Sequence, residues 1–472
     1  MRQVPLAEIT PHSSSYGDPN GRVFWWMEEL YRGIMPDRVG FYSHLFDSGV
    51  IRQLVNQKFL IESEPVDLSL QGFGLIVKHP RLSFVSYPFE WCAPMLKEAA
   101  LLVLDLEMAL FEHGLGLQDC HPWNVLFEAT KPLFVDFGSI VTANGNNLWE
   151  SNGEFFRYFV YPLLAMASGQ TRIARWLLHD YTCGISEVEA DFLTRRRGSQ
   201  VKERTRKVLR SFGKRYPGRL HFALRKGLRL LDRVFSGRAP RLHESRIVYL
   251  RRLRTMVESI VIPRVPTGWS NYYDSDFPQF HPSGDWQQKH SSVHKVITNL
   301  KPRTLIDIGA NRGWHSLMAA HFGVNTIAAD IDEECISQLF YDARERDLPV
   351  QPLVLDFTSP SPGLGISNNM LPSATQRLKS EMALALALVH HMVFKSNLTF
   401  DQITQGLSDF TTKYLLVEFI PKEDRYVKEW WTPAKSWYSL DEFQRSLRRH
   451  YSSVTLLESY PEPRVLLLCE KQ

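Results

Sequence analysis

The thirteen residues from Arg303 to His315, RTLIDIGANRGWH, set an acid, two glycines and an asparagine where an apolar run ends. The run reads as a strand closing at Asp307, then a turn through Gly309, Asn311 and Gly313, then the start of a helix. Glycine at a strand end allows torsions and a close backbone approach that a Cβ would obstruct, so such a turn can lie against a bound molecule. A dinucleotide fingerprint would read GxGxxG. The G-A-N-R-G spacing here, with an acid just ahead, better suits a ligand carrying a positive amino group and a sulfonium than a pyrophosphate. Twenty-one residues past Gly309 a second apolar run ends in Asp330, whose carboxylate can accept both hydroxyls of a ribose, and a third ends in Asp356, placed for an adenine amino group. A fourth run leads to Val389, His390 and His391. A histidine there can take a proton from a hydroxyl, since its unperturbed pKa is near 6.5. The plainer role is to hydrogen-bond a strand end or shape a pocket. Glu418, at the end of a fifth run, is a further pocket candidate.

Positioning these groups requires a sheet. From about Ser275 onward the runs TLIDIG, NTIAAD, PLVLDF, MALALALV and KYLLVEF alternate with helical stretches, followed by VTLLES and RVLLLCE. That is the pattern of a parallel α/β sheet wrapped by crossover helices, with seven strands and the last two as an antiparallel addition. The set resembles the class I S-adenosylmethionine-dependent methyltransferases over roughly residues 275–472. The family pattern Asp/Glu-x-Gly-x-Gly-x-Gly is met at Asp307, Gly309 and Gly313, with Asn311 in place of the middle glycine. The resemblance implies a Rossmann-like domain with S-adenosylmethionine held by Asp307, Gly309, Asn311, Gly313, Asp330 and Asp356, while His390 and His391 are the candidate catalytic pair by their place at the fourth strand's end. Methyl transfer needs little covalent help, because the sulfonium is already activated and alignment is the main task.

A second constellation lies upstream, in LQDCHPWNVLFEATKPLFVDFGS from Leu117 to Ser139. It resembles the catalytic loops of protein kinases and, through His121 and Pro122, those of aminoglycoside phosphotransferases. The resemblance implies Asp119 as acceptor of a hydroxyl proton, Asn124 as a metal holder and Asp136 as the ligand of Mg2+ against the phosphates of ATP. Leu117 stands where the usual histidine would be, and no glycine-rich phosphate loop is found. Lys78 and Glu98 are the nearest candidates for the usual lysine and its partner. A degenerate kinase-like fold is therefore ranked above an active kinase. The order of the modules, with VSYPFEW, VDFGS, ALVHHMVF and VEFIPKED, resembles a bacterial family with a kinase-like front and a methyltransferase back that includes rhizobial nodulation proteins. That implies cytoplasmic modification of a carbohydrate signal or a surface-polysaccharide precursor.

At 472 residues the chain needs more than one core. We expect an α+β kinase-like domain over 1–185, a basic helical segment and linker over 186–265, and the methyltransferase domain over 275–472. Between Arg195 and Arg254 stand 21 lysines and arginines against three acids, a local net charge of +18 in a chain of net +4, which leaves the remainder at −14. A solvated helix face is the first reading of that segment. An anionic membrane surface or phosphate-bearing glycan carrier is second, with the protein then peripheral to the inner membrane, and nucleic acid is third. Five scattered cysteines without a CxxC pair argue against disulfides and zinc, and fit a reducing cytoplasm. The opening segment lacks the marks of a secretory signal, and no apolar run has the length of a membrane span. ALVHH stands where an NPPY-type signature would suit a base amino group, which favours an oxygen acceptor on a glycan or small molecule. Four classes stay open: this O-directed methyltransferase, a bifunctional kinase-methyltransferase, an RNA methyltransferase, and a scaffold without turnover.

Overall fold

The computed structural model describes residues 2–15, 18–144, 149–194, 245–270, 280 and 286–471. Most of the basic segment, 195–244, lies outside the described residues, and so does any reading of its partners. The amino-terminal part begins with β1 (Thr10–Pro11), β2 (Gly21–Trp26) and β3 (Glu29–Ile34), followed by helices α1 (Val39–Asp47) and α2 (Val50–Asn56). With β4 (Glu64–Val66) and β5 (Leu75–His79) the strands form an antiparallel sheet in the order β1-β2-β3-β5-β4. The central helix α3 (Ala93–Phe111) is apolar almost all round, and a helix of that kind belongs in a core. After it come β6 (Leu115–Leu117), the hairpin of β7 (Val125–Glu128) and β8 (Lys131–Phe134), then β9 (Ile140–Thr142), and further on α4 (Thr171–Leu177).

Helix α5 (Arg246–Glu258) is the end of the basic stretch. This helix packs on α3 through buried Tyr249, Leu250, Leu253 and Val257, and Arg254 Nε donates to Asp105 Oδ1 at 2.6 Å. Arg246 is fully buried, its guanidinium 4.9 Å from the Phe111 ring and 3.1 Å from Glu150 Oε2. Alternating arginines and leucines read as a solvated face, but here the leucine spacing won and took one arginine inside.

The carboxyl-terminal part runs α6 (Gln288–Leu300), β10 (Thr304–Ile308), α7 (Trp314–His321), β11 (Asn325–Asp330), α8 (Glu333–Glu345), β12 (Val350–Val354), β13 (Ser380–Ala385), α9 (Val389–Phe394), β14 (Thr411–Phe419), α10 (Arg425–Trp430), β15 (Ser453–Glu458) and β16 (Val465–Glu470). All seven expected strands form one sheet in the order β12-β11-β10-β13-β14-β16-β15. The first five are parallel, and β16 is antiparallel to both neighbours. Helix α8 shows how the crossovers are fixed. Asp332 caps its amino end by accepting from Glu334 and Cys335 N–H, and Ile336, Leu339 and Phe340 are buried against the sheet, each worth about 1.5–3 kcal/mol.

The two parts share one hydrophobic core. At their junction Glu90, 1% exposed, receives both Nη atoms of Arg377, whose guanidinium lies 3.7 Å from the Tyr87 ring centre. Ser86 Oγ accepts from Gln351 Nε2 at 2.7 Å, and Glu333 at the head of α8 accepts from Ala93 N at 2.9 Å and pairs with Arg175 of α4. All five cysteines are free, four of them buried.

Candidate functional site

Because β10, β11 and β12 are neighbours and parallel, their acids arrive at one edge of the sheet. Asp307 sits within β10, Asp330 ends β11, and Asp356 lies two residues past β12. The turn between β10 and α7 passes Gly309, Asn311 and Gly313 with φ of 77°, 53° and 70°. Glycine is demanded at 313, where a Cβ would stand 2.5 Å from the Leu339 side chain as well as at positive φ. Asn311 accepts the left-handed torsion that most residues resist. Gly309 and Ala310 N–H donate to Ala329 O, binding the turn to β11.

Asp330 takes the Asn311 N–H at 2.8 Å on one oxygen and the Asp332 N–H at 2.9 Å on the other. Burial nonetheless holds its carboxyl above the ordinary range. Asp307 is 3% exposed and accepts from Ser316 Oγ at 2.6 Å, while burial pushes its pKa up to about 6. Asp356 turns one oxygen inward to Thr358 N and Oγ1. A row of carboxylates beside a turn with no side-chain bulk at Gly309 and Gly313 fits a ligand with an amino group, a sulfonium and a diol.

The histidine pair is divided by burial. His390 is 3% exposed, stacks 5.9 Å from Trp430 at 13°, and has a buried Nδ1 without a hydrogen-bond partner. Burial and the neighbouring His391 drive its pKa down to about 2. His391 is half-buried, faces Trp269 at 5.5 Å and Trp430 at 5.3 Å, and is lowered to about 4 by burial and Lys395. Lys395 Nζ lies 4.9 Å from the Trp430 ring and 5.7 Å from that of Trp269. Both imidazoles are neutral at pH 7, and His391 is the one within reach of the surface.

Glu418 is fully buried. It accepts from Lys289 Nζ at 2.6 Å, Ser459 Oγ at 2.7 Å and Ala387 N at 2.9 Å, and so fixes the backbone that carries the histidines. Lys289, Trp269 and Trp430 were not signalled by spacing. They come from α6, the connector and α10, each distant in sequence.

In the amino-terminal part Asp119 and Asn124 lie on the loop after β6, with Asn124 Nδ2 3.5 Å from Asp119 O. Burial, Glu154 and Asp136 together raise the Asp119 carboxyl. Asp136, after β8, accepts from Ser139 Oγ at 2.6 Å and from Arg32 Nη2 at 3.0 Å. Arg32, 6% exposed on β3, also binds Asp18 Oδ2 at 2.5 Å, and its Nε has no hydrogen-bond partner. The cation facing Asp136 is therefore Arg32 and not Lys78, which sits half-exposed on β5 with Glu29 at 3.2 Å. Glu98 is engaged elsewhere, with Arg344 at 2.7 Å. The strand alternation of ELYRGI carried the signal for Arg32, but the expectation of a lysine hid it.

A polar cavity of about 330 Å3 lies between the two parts, lined by Arg81, Ser83, Thr130, Asn325 and Asp347, at the opposite ends of β11 and β12 from the carboxylates. Among the described residues no cluster of three or more His, Cys, Asp or Glu is arranged for a metal, and no helix is long and apolar enough to cross a membrane.

The strand order and the single antiparallel strand in sixth place give the carboxyl-terminal part a seven-stranded mixed sheet of the kind found in methyltransferase folds. Over most of its length the chain is a homologue of nodulation protein NoeA of Rhizobium meliloti (strain 1021), 27% identical over 431 residues that cover 88% of this chain and 86% of that protein. No family model matches the chain. Among solved structures it is similar to the bifunctional kinase-methyltransferase WbdD, at 18% identity and TM-score 0.29 over 38% of each chain. It is also similar to magnesium protoporphyrin IX methyltransferase (ChlM) of Synechocystis PCC 6803, at 13% identity and TM-score 0.28 over 39% of this chain and 81% of that one. The match thus spans well under half of the WbdD chain.

Proposed function

We propose that the chain is an S-adenosylmethionine-dependent methyltransferase acting on an oxygen of a glycan or lipid-linked saccharide, of the kind that serves as a nodulation signal or surface-polysaccharide precursor. The observation that carries this is the row of Asp307, Asp330 and Asp356 on three adjacent strand ends beside the Gly309–Gly313 turn. In this reading the turn and Asp307 receive the amino acid end of the cofactor, Asp330 the ribose and Asp356 the adenine. The bound cofactor supplies an activated methyl group. The residues of the chain align the acceptor, exclude water and take up its proton, and half-buried His391, neutral at pH 7, is the base within reach. His390 supports it through the shared Trp430. The similarity to a nodulation protein supports the nodulation part of this reading. A cytoplasmic protein, with the basic residues 195–244 toward an anionic surface or a phosphate-bearing carrier, completes the reading.

Calorimetric titration of S-adenosylmethionine tests it. Saturable binding that weakens in Gly309→Arg and in Asp330→Ala is expected, and a folded wild-type chain that takes up no cofactor overturns it.

A second reading is favoured by Arg32. A buried guanidinium opposite Asp136, on the strand next to a loop bearing Asp18, is suited to the phosphates of a nucleotide, with Asp119, Asn124 and Asp136 toward Mg2+. Here Asp18 already neutralises it, so the nucleotide must displace a carboxylate. Magnesium-dependent ATP binding that disappears in Asp136→Ala supports this reading.

A further inference from the structure

We propose that the turn Thr267–Ser270 is a strap across the cofactor groove, and that Asn311 is the positioning residue that holds it there. The inference rests on the cofactor reading above. The strap touches three elements that border the groove. Thr267 Oγ1 donates to Asp332 Oδ2 at 2.5 Å, on the ribose side. Asn311 Nδ2 donates to Trp269 O at 3.2 Å, over the glycine turn. The Trp269 ring meets His391 edge-on at 5.5 Å, on the acceptor side. One short turn thus touches Asp332, Asn311 and His391, which border the proposed cofactor site.

The turn arrives preformed. The Thr267 hydroxyl also accepts from Trp269 N at 3.2 Å and Ser270 N at 3.1 Å, and Ser270 Oγ accepts from Thr267 N at 3.0 Å. Ser270 is 3% exposed, so its side chain is sealed under the turn while Trp269 stays 45% exposed. A hydroxyl that caps two amides and reaches a carboxylate at once leaves the turn little conformational freedom.

This accounts for the departure at position 311. Glycine would adopt φ 53° as readily, and the turn would keep its path. Only a side-chain amide can also grip the strap. Asn311 Oδ1 accepts from Arg312 N at 2.6 Å, which turns Nδ2 toward Trp269 O. The amide thereby converts a loop that merely admits a cofactor into one that is latched over it.

Stopped-flow release of S-adenosylhomocysteine from the full chain tests the proposal, in Asn311→Gly, Thr267→Val and the double variant. Loss of the Asn311 bond to Trp269 O, or of the Thr267 hydroxyl with its bonds to Asp332, Trp269 N and Ser270 N, is expected to speed release on the order of 5–10-fold in each single variant. The double variant should fall short of the product of the two, because a strap freed at one anchor has less to lose at the other. The thermal midpoint should hold in Asn311→Gly, since glycine suits the torsion. Unchanged release in variants of a chain that binds the ligand overturns the strap and leaves the cofactor reading standing. Faster release that is fully multiplicative and tracks a falling thermal midpoint also overturns it, as general loosening of the loop. A wild-type chain that binds no S-adenosylhomocysteine overturns both.

Discussion

The two candidate clefts satisfy their charges in opposite ways. In the amino-terminal cleft a cation from β3 closes on two carboxylates, Asp18 and Asp136, so the site completes itself with side chains. At the carboxyl-terminal edge Asp330 is met by backbone N–H groups and Asp307 by a hydroxyl, and among the described residues no side-chain cation is paired with either. Paired charges stabilise the protein and must be parted by a ligand. Carboxylates held by neutral donors keep their charge for a cationic or diol-bearing guest at the cost of some folding stability.

Substitution should separate the two. Arg32→Met leaves Asp18 and Asp136 without their cation, and should cost about 3 kcal/mol in urea denaturation; a change below about 1 kcal/mol would erase the contrast. Asp330→Asn should instead act on the ligand, weakening S-adenosylmethionine on the order of 30–100-fold through two lost charge-assisted bonds, with a smaller folding cost than Arg32→Met. Calorimetry and denaturation on the same samples check both halves. His391→Ala should lower turnover on the order of 10–100-fold, whereas His390→Ala should mainly cost stability, about 1–2 kcal/mol, because it fills the space beside Trp430.

Acidification gives the smallest effect, and its direction follows from the shifts. Asp307, lifted to about 6, is ionised at pH 7 and protonates below 6, so cofactor affinity should fall up to about 10-fold between pH 7 and 5, and Asp307→Asn should lose that dependence. Folding responds the other way at this residue: its raised pKa gives stability that is present below pH 4 and lost as pH rises through 6. His290, His315, His390 and His391 are all lowered, so the unfolded chain takes their protons first, and stability is full above pH 6.5 and lost toward pH 4. With His12, His79 and His179 also lowered, seven histidines stand against five raised acids, Asp18, Glu107, Asp119, Asp307 and Asp330, and a denaturation series should show net loss on acidification.

The placement of the candidate residues at one edge of the carboxyl-terminal sheet was legible because the pattern is local. A strand, its terminal acid and the following turn are contiguous, so Asp307, Gly309, Asn311, Gly313 and Asp330 could be named from spacing. The alternation of runs and helices likewise gave seven strands, including the antiparallel pair. What escaped was assembled from afar. Trp269 and Trp430 meet at His391 from segments 161 residues apart, and no local pattern records that. Arg32 escaped for another reason: the resemblance asked for a lysine, and Lys78 satisfied the request by type although its strand turned it outward. The burial of Arg246 was masked by the charge of its neighbours.

The Glu90–Arg377 pair sets a timetable for synthesis. Its partners are separated by 287 residues, so at about 5–20 residues per second the ribosome delivers Arg377 roughly 15–60 s after Glu90. Until then a carboxylate destined to be 1% exposed stays hydrated, and the face around Tyr87 and Ser86 stays open. The amino-terminal half therefore leaves the ribosome with an unfinished side, a stretch in which a chaperone has something to hold.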